Sequence, residues 1–195
     1  MSTEYEWKFN AVPSVLAEID RAFSGDRQLL TMETVYYDTP SGALSARHYT
    51  LRKRMENGVP VCTLKTPSGA ARSEWEIPCA TIEEAILKFP ALGCPADFSS
   101  IVEEGLRPVC GAKFTRIAKT VSLPEGTVEI ALDEGILMGG SREVPLCEVE
   151  VELKSGSKDA CDAFAKILAT KFHLQVQPAS KFRRALALYK GESYA

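Results

Sequence analysis

Glu4-Tyr5-Glu6-Trp7-Lys8-Phe9 sets charged residues against aromatic ones in strict alternation. Successive side chains of an extended strand point to opposite faces. Glu4, Glu6 and Lys8 therefore share one face and Tyr5, Trp7 and Phe9 the other. Two further stretches repeat the pattern, Leu51-Arg52-Lys53-Arg54 and Glu148-Val149-Glu150-Val151-Glu152-Leu153-Lys154. A half-buried strand ordinarily turns its charged face to water, and any one of these rows fits that reading. Repetition argues against it. Arg72, Glu74 and Glu76 alternate around Trp75, while Lys65, Arg116 and Asp133 sit in otherwise apolar strands. A β-dominated α+β fold reconciles the rows: a closed eight-stranded antiparallel β-barrel, its polar faces turned inward and its apolar faces packed against outer helices.

The 195 residues suit a single tunnel domain over residues 1–195, and 45% hydrophobic with 25% charged residues is the composition of a globular core former. A net charge of −3 argues against duplex nucleic acid as the main partner, which calls for a basic face. No apolar run is long enough to span a membrane, and the sequence opens on a charged strand instead of a signal peptide, so a cytoplasmic protein without a membrane partner is expected. Six cysteines without a CxxC pair read as reduced, packed thiols. With only two histidines, His48 and His173, oxygen ligands become the natural choice for any metal.

Along the chain, helices are expected over 15–23, 81–89, 97–105, 157–173 and 179–189, and strands over 28–38, 48–55, 59–66, 72–78, 108–121, 126–138 and 143–154, in addition to the opening one. Asn57-Gly58 signals a hairpin turn, and Pro67-Ser68-Gly69 a break before the next strand. There is no G-x-x-x-x-G-K-[ST] phosphate loop. Gly139-Gly140-Ser141 reads as a connection between strands, Tyr36 and Tyr37 as barrel packing with substrate contact the alternative, and Arg183 as a solvated neighbour of Lys181.

Carboxylates clustered across adjacent strands repel one another unless a cation lies between them. Hard divalent ions, Mg²⁺ or Mn²⁺, are the guests such a cluster suits, shared with phosphate oxygens. Arginine would hold phosphate through its bidentate fork and lysine as a point charge.

Glu4-x-Glu6-x-Lys8 resembles the opening signature of the CYTH superfamily, the triphosphate tunnel metalloenzymes. The resemblance continues through Tyr36-Tyr37-Asp38-Thr39, Leu51-Arg52-Lys53-Arg54, Thr63-Leu64-Lys65, Glu74-x-Glu76, Phe114-Thr115-Arg116, Val128 to Asp133, Cys147 to Gly156 and Ser180-Lys181-Phe182. The later blocks look most like the bacterial inorganic triphosphatase branch.

The resemblance implies a triphosphate-containing small molecule as ligand and metal-dependent hydrolysis of inorganic triphosphate to phosphate and pyrophosphate. It implies Glu4, Glu6, Glu148, Glu150 and Glu152 as metal ligands, with Glu4, Glu6, Lys8, Glu150 and Glu152 catalytic. Lys8, Arg52, Arg54, Lys65, Arg72, Arg116 and Lys181 would bind substrate, and Glu74, Glu76 and Asp133 are secondary candidates. The same superfamily includes class IV adenylate cyclases and thiamine triphosphatases, so conversion of ATP to cyclic AMP and pyrophosphate is the nearest alternative. A non-catalytic polyphosphate- or nucleotide-binding module is the other.

Overall fold

The computed structural model describes residues 2–68 and 71–193. The strands are β1 (Ser2–Glu4), β2 (Glu6–Asn10), β3 (Arg27–Asp38), β4 (Thr50–Glu56), β5 (Val59–Ser68), β6 (Ala71–Pro78), β7 (Arg107–Leu123), β8 (Gly126–Gly139), β9 (Arg142–Gly156) and β10 (Gln175–Val176). Helices are α1 (Pro13–Ala22), α2 (Ala43–Ala46), α3 (Ile82–Lys88), α4 (Phe98–Val102), α5 (Lys158–Lys171) and α6 (Lys181–Lys190), with a 3-10 turn at Pro90–Leu92. Each expected strand and helix is present with shifted ends. The short α2 is additional, and Gly69 of the expected break lies outside the described residues.

The sheet runs β1-β6-β5-β4-β3-β7-β8-β9-β2-β10, with every ladder antiparallel. Its two ends are consecutive in the chain, because β1 and β2 are one strand interrupted at Tyr5. Glu4 lies opposite Arg72 on β6 at one end of the sheet, and Glu6 lies opposite Glu152 on β9 at the other. The Tyr5 carbonyl accepts the Leu153 amide at 2.9 Å. The N-terminal strand thus joins both ends of a curled sheet. Counted as one, it makes eight principal strands, with the two-residue β10 added beside β2. The hairpin between β4 and β5 turns at Asn57 and Gly58, both at positive φ (48° and 83°), as a type I′ turn requires.

Alternation decides what covers the outside. Phe9, Ile130, Val149 and Val151 pack beneath Leu16 and Ile19 of α1 and Cys161, Ala165 and Leu168 of α5, with Tyr5 and Trp7 at the edge. Leu51, Cys62, Leu64 and Trp75 are covered by α2, α3 and α4 through Leu44, Ile82, Ala85, Phe89 and Phe98. The third cluster lies on the inner faces: Met32, Tyr36, Phe114, Leu137 and Leu146 meet Phe182 and Ala185 of α6, and Tyr36 stacks at a tilt on Phe182 with centroids 5.1 Å apart. One end of α6 therefore forms an apolar floor to the lumen. A Cβ at Gly139 would collide with the α6 backbone at Ala185 and Tyr189, so glycine there lets the helix seat against β8. This turn is a connection between strands, as expected. All six cysteines are free, as expected.

Candidate functional site

The curled sheet encloses a cavity of about 330 Å³. Eight carboxylates line it (Glu4, Glu6, Glu56, Glu74, Glu76, Glu129, Glu150, Glu152), as do eight cations (Lys8, Arg52, Arg54, Lys65, Arg72, Arg116, Lys154, Lys181). The inward parity read from the sequence therefore holds for twelve of the fourteen charged strand residues expected to face the lumen. Asp133 and Glu148 share that face by register but are sealed beneath other side chains.

The charges are sorted. β4, β5 and β7 contribute Arg52, Arg54, Lys65 and Arg116, whereas β8, β9 and the N-terminal strand contribute Glu129, Glu150, Glu152, Glu6 and Glu4. On the basic wall the Arg52 and Arg54 Nε atoms are buried without a hydrogen-bond partner. Each guanidinium reaches a β6 carboxylate only at 3.8 Å, Arg52 to Glu74 and Arg54 to Glu76, although Arg54 also contacts Glu56 closely. Burial first, and then the Arg52 charge beside it, bring the Arg54 guanidinium down to about 10. Lys65 is held between Glu4 (2.6 Å) and Glu74 (3.4 Å).

On the acidic wall, register places Glu129, Glu152 and Glu6 side by side across β8, β9 and β2. Lys154 bridges Glu129 and Glu152, and Lys8 bonds Glu6 at 2.8 Å. Burial, then the Glu150 charge, raise the Glu6 carboxyl against the pull of Lys8; burial likewise raises Glu152. Burial opposes ionisation of Glu4 too, but the Lys65 contact overcomes it and holds Glu4 below its ordinary range.

Behind this wall lies a bonded cluster. Arg116 forks onto Asp133 with two 2.7 Å bonds and reaches Glu150 at 2.5 Å. Lys181, at the first turn of α6, bonds Asp133 (2.7 Å), Glu150 (2.9 Å) and Glu148. Arg184, one turn further on, bonds Glu148. Asp133, Glu148 and Glu150 could offer three oxygens to one ion, all within 4.8 Å of one another, but the Lys181 ammonium already bonds all three. Burial opposes ionisation of Glu150, yet Lys181 and then Arg116 hold its carboxyl well below the usual range. Glu148, expected among the metal ligands, is fully buried and bonded to Lys181 and Arg184, away from the lumen.

The structure thus gathers Glu4, Glu6, Lys8, Arg52, Arg54, Lys65, Arg72, Glu74, Glu76, Arg116, Glu150, Glu152 and Lys181 around one cavity. Tyr36 reaches the lumen as packing against Phe182, while Tyr37 turns outward to the cluster beneath α2 to α4. Arg183 is exposed, as expected. Sequence reasoning passed over Glu56, Glu129, Lys154 and Arg184. The first three lie in register with residues it had identified, Glu56 with Arg54, Glu129 with Asp133 and Lys154 with Glu152, so parity carried the signal. Arg184 was marked by sharing a helical face with Lys181.

Comparison with known proteins places this geometry. An inorganic triphosphatase from Haemophilus influenzae is 28% identical over 197 residues, covering 96% of this chain and 55% of that protein. The chain therefore spans about half the length of that curated relative. Among solved structures, the Hippeastrum protein HpAC1, described as revealing a dominant triphosphatase activity, superposes with a TM-score of 0.65 at 17% identity, covering 100% of this chain and 98% of its own. The PH1819 protein from Pyrococcus horikoshii OT3 gives 0.65 at 23% identity, covering 96% and 99%. At these identities the two structures establish the shared fold. The CYTH domain profile matches residues 2–186, and the chain belongs to the CYTH domain family.

Proposed function

We propose that this chain hydrolyses inorganic triphosphate to phosphate and pyrophosphate, with a divalent cation, Mg²⁺ or Mn²⁺, bound beside the substrate. The observation that carries the reading is the charge balance of the lumen. Eight carboxylates offset eight cations on its surface, so a polyanion gains no net attraction there unless counter-charge enters with it. The sorting supplies a place for each partner: unpartnered guanidinium donors on one wall, opposed carboxylates on the other. Similarity to the Haemophilus inorganic triphosphatase supports the substrate class.

The donor set fits a hard cation. Glu4, Glu6, Glu150 and Glu152 offer oxygen ligands facing the lumen. When bound, the cation supplies Lewis-acid polarisation of a phosphoryl group and neutralises developing charge. Arg52 and Arg54 donate to phosphate oxygens from the opposite wall, with Lys65 and Lys8 adding point charges. Arg116 and Lys181 hold the Glu150 carboxylate ionised and oriented. Glu6, raised by burial and Glu150, holds a proton at its Oε atom more readily than an ordinary carboxylate does.

The test is incubation of the purified chain with tripolyphosphate, ATP and thiamine triphosphate, in Mg²⁺ and then Mn²⁺, with products resolved. Tripolyphosphate should show the highest kcat/KM, with phosphate and pyrophosphate as products and no cyclic AMP. Cyclic AMP as the main product from ATP would establish a cyclase instead. Binding without turnover would establish a binding module, and full activity in EDTA would remove the cation.

Removing Arg52 or Lys65 should weaken the site in both ground and transition states. A charge-assisted contact is worth about 1.5–3 kcal/mol. Arg52→Ala and Lys65→Ala are therefore each expected to lower kcat/KM for tripolyphosphate at least about tenfold. Unchanged kinetics in both would return these residues to a role in packing alone.

A further inference from the structure

The lumen is continuous with a second, wider cavity of about 880 Å³, and Thr50, Arg72, Ser180 and Phe182 line both. This vestibule is walled by the loop after β3, the start of β7 and the outward face of α6. Its floor is apolar, through Val109, Phe182, Leu186 and Ala187. Its charge is one-sided. Beyond the shared Arg72 it presents Arg107, Arg183 and Lys190, against Asp38 and Glu192 as carboxylates. Asp38 is already engaged, since its oxygens accept the amides of Thr39, Leu44 and Ser45 at the start of α2. The ion pairs of α6 run through Lys181 and Arg184 on the opposite side of the helix, leaving Arg183 exposed towards the vestibule.

We propose that the vestibule is a second subsite, which receives the further phosphoryl units of a linear inorganic polyphosphate whose terminal triphosphate lies in the lumen. The inference rests on the triphosphate reading of the lumen and extends its substrate class to longer chains. Two observations favour this occupant over a nucleoside. The cations continue outward from the shared Arg72 to Arg107, Arg183 and Lys190, a succession that a chain carrying charge along its length would use and a neutral ring would not. The excess of positive charge here also contrasts with the balanced lumen, so a polyanion in the vestibule is attracted without added counter-charge.

Binding is measured by titration calorimetry on the intact chain in Mg²⁺, comparing tripolyphosphate, ATP and size-fractionated longer linear polyphosphate. The proteins are wild type and the double variant Arg183→Gln with Lys190→Gln, two exposed positions that leave the lumen intact. Wild type should bind the longer chain at least about tenfold more tightly than tripolyphosphate, as one or more added charge-assisted contacts would give. The double variant should lose most of that advantage with its tripolyphosphate affinity unchanged. Equal affinity of wild type for the two phosphates overturns the vestibule while leaving the lumen reading standing. A longer chain favoured equally by both proteins overturns it too, as does ATP bound more tightly than either phosphate and indifferent to the two substitutions. Failure of tripolyphosphate itself to bind removes the lumen reading and the vestibule with it.

Discussion

Asp133→Ala is expected to destabilise the fold by about 3–5 kcal/mol, the usual cost of stripping one partner from a buried ionic cluster. Asp133 is fully buried and receives two bonds from Arg116 and one from Lys181. Without it, two cations remain in a poorly solvated site with Glu150 and Glu148 as their remaining acceptors. In a chain of this size the melting temperature should fall on the order of 10 °C. Thermal and urea unfolding, each followed by circular dichroism, measure it. Glu134→Ala on the exposed neighbouring position should stay within about 0.5 kcal/mol of wild type. A second variant separates lost pairing from lost packing: Asp133→Leu combined with Arg116→Met should regain part of the stability, because apolar replacement of a whole buried pair is often neutral. An Asp133→Ala protein as stable as wild type would mean the cluster contributes nothing to the fold.

The other large effect falls on turnover. Glu6→Gln is expected to reduce kcat/KM for tripolyphosphate at least about a hundredfold, because a bound cation contributes several kcal/mol of charge stabilisation. The melting temperature should hold or rise. Burial and the Glu150 charge already oppose ionisation of Glu6, so a neutral amide relieves repulsion even as it removes a ligand. Loss of activity with retained stability is the signature that separates a ligand from a structural carboxylate. Wild-type kinetics in Glu6→Gln would exclude it from the site.

The contrast between Asp133 and Glu6 shows where sequence reading stops. Parity along a strand is a property of the chain itself, so the inward rows at Glu4, Glu6, Arg52, Arg54, Glu150 and Glu152 were legible before any coordinate. Pairing partners are not. They depend on cross-strand register, and the ladders carry irregularities between Tyr36 and Tyr37 and between Thr127 and Val128 that no local pattern announces. That is why Glu148 and Glu150, two residues apart with the same parity, meet different fates. Glu148 is closed off by Lys181 and Arg184, whereas Glu150 retains access to the lumen. The break at Tyr5 was hidden for the same reason. It follows from which strands the first segment joins, and its own alternation runs through Tyr5 unbroken.

That break has a kinetic consequence. Glu4 faces a residue in the first half of the sequence and Glu6 one in the last third, so the carboxylate wall exists only after the longest loop in the protein has closed. Loop closure is costly before the contacts that reward it form, and sheets built on such distant pairings fold in milliseconds to seconds instead of microseconds. The hairpins β4–β5 and β7–β8–β9 can zip locally. The N-terminal strand has no local partner and must wait for both edges. Assembly of the acidic wall and closure of the barrel are therefore one event, and an intermediate lacking that last strand presents guanidinium groups with no carboxylate wall opposite them.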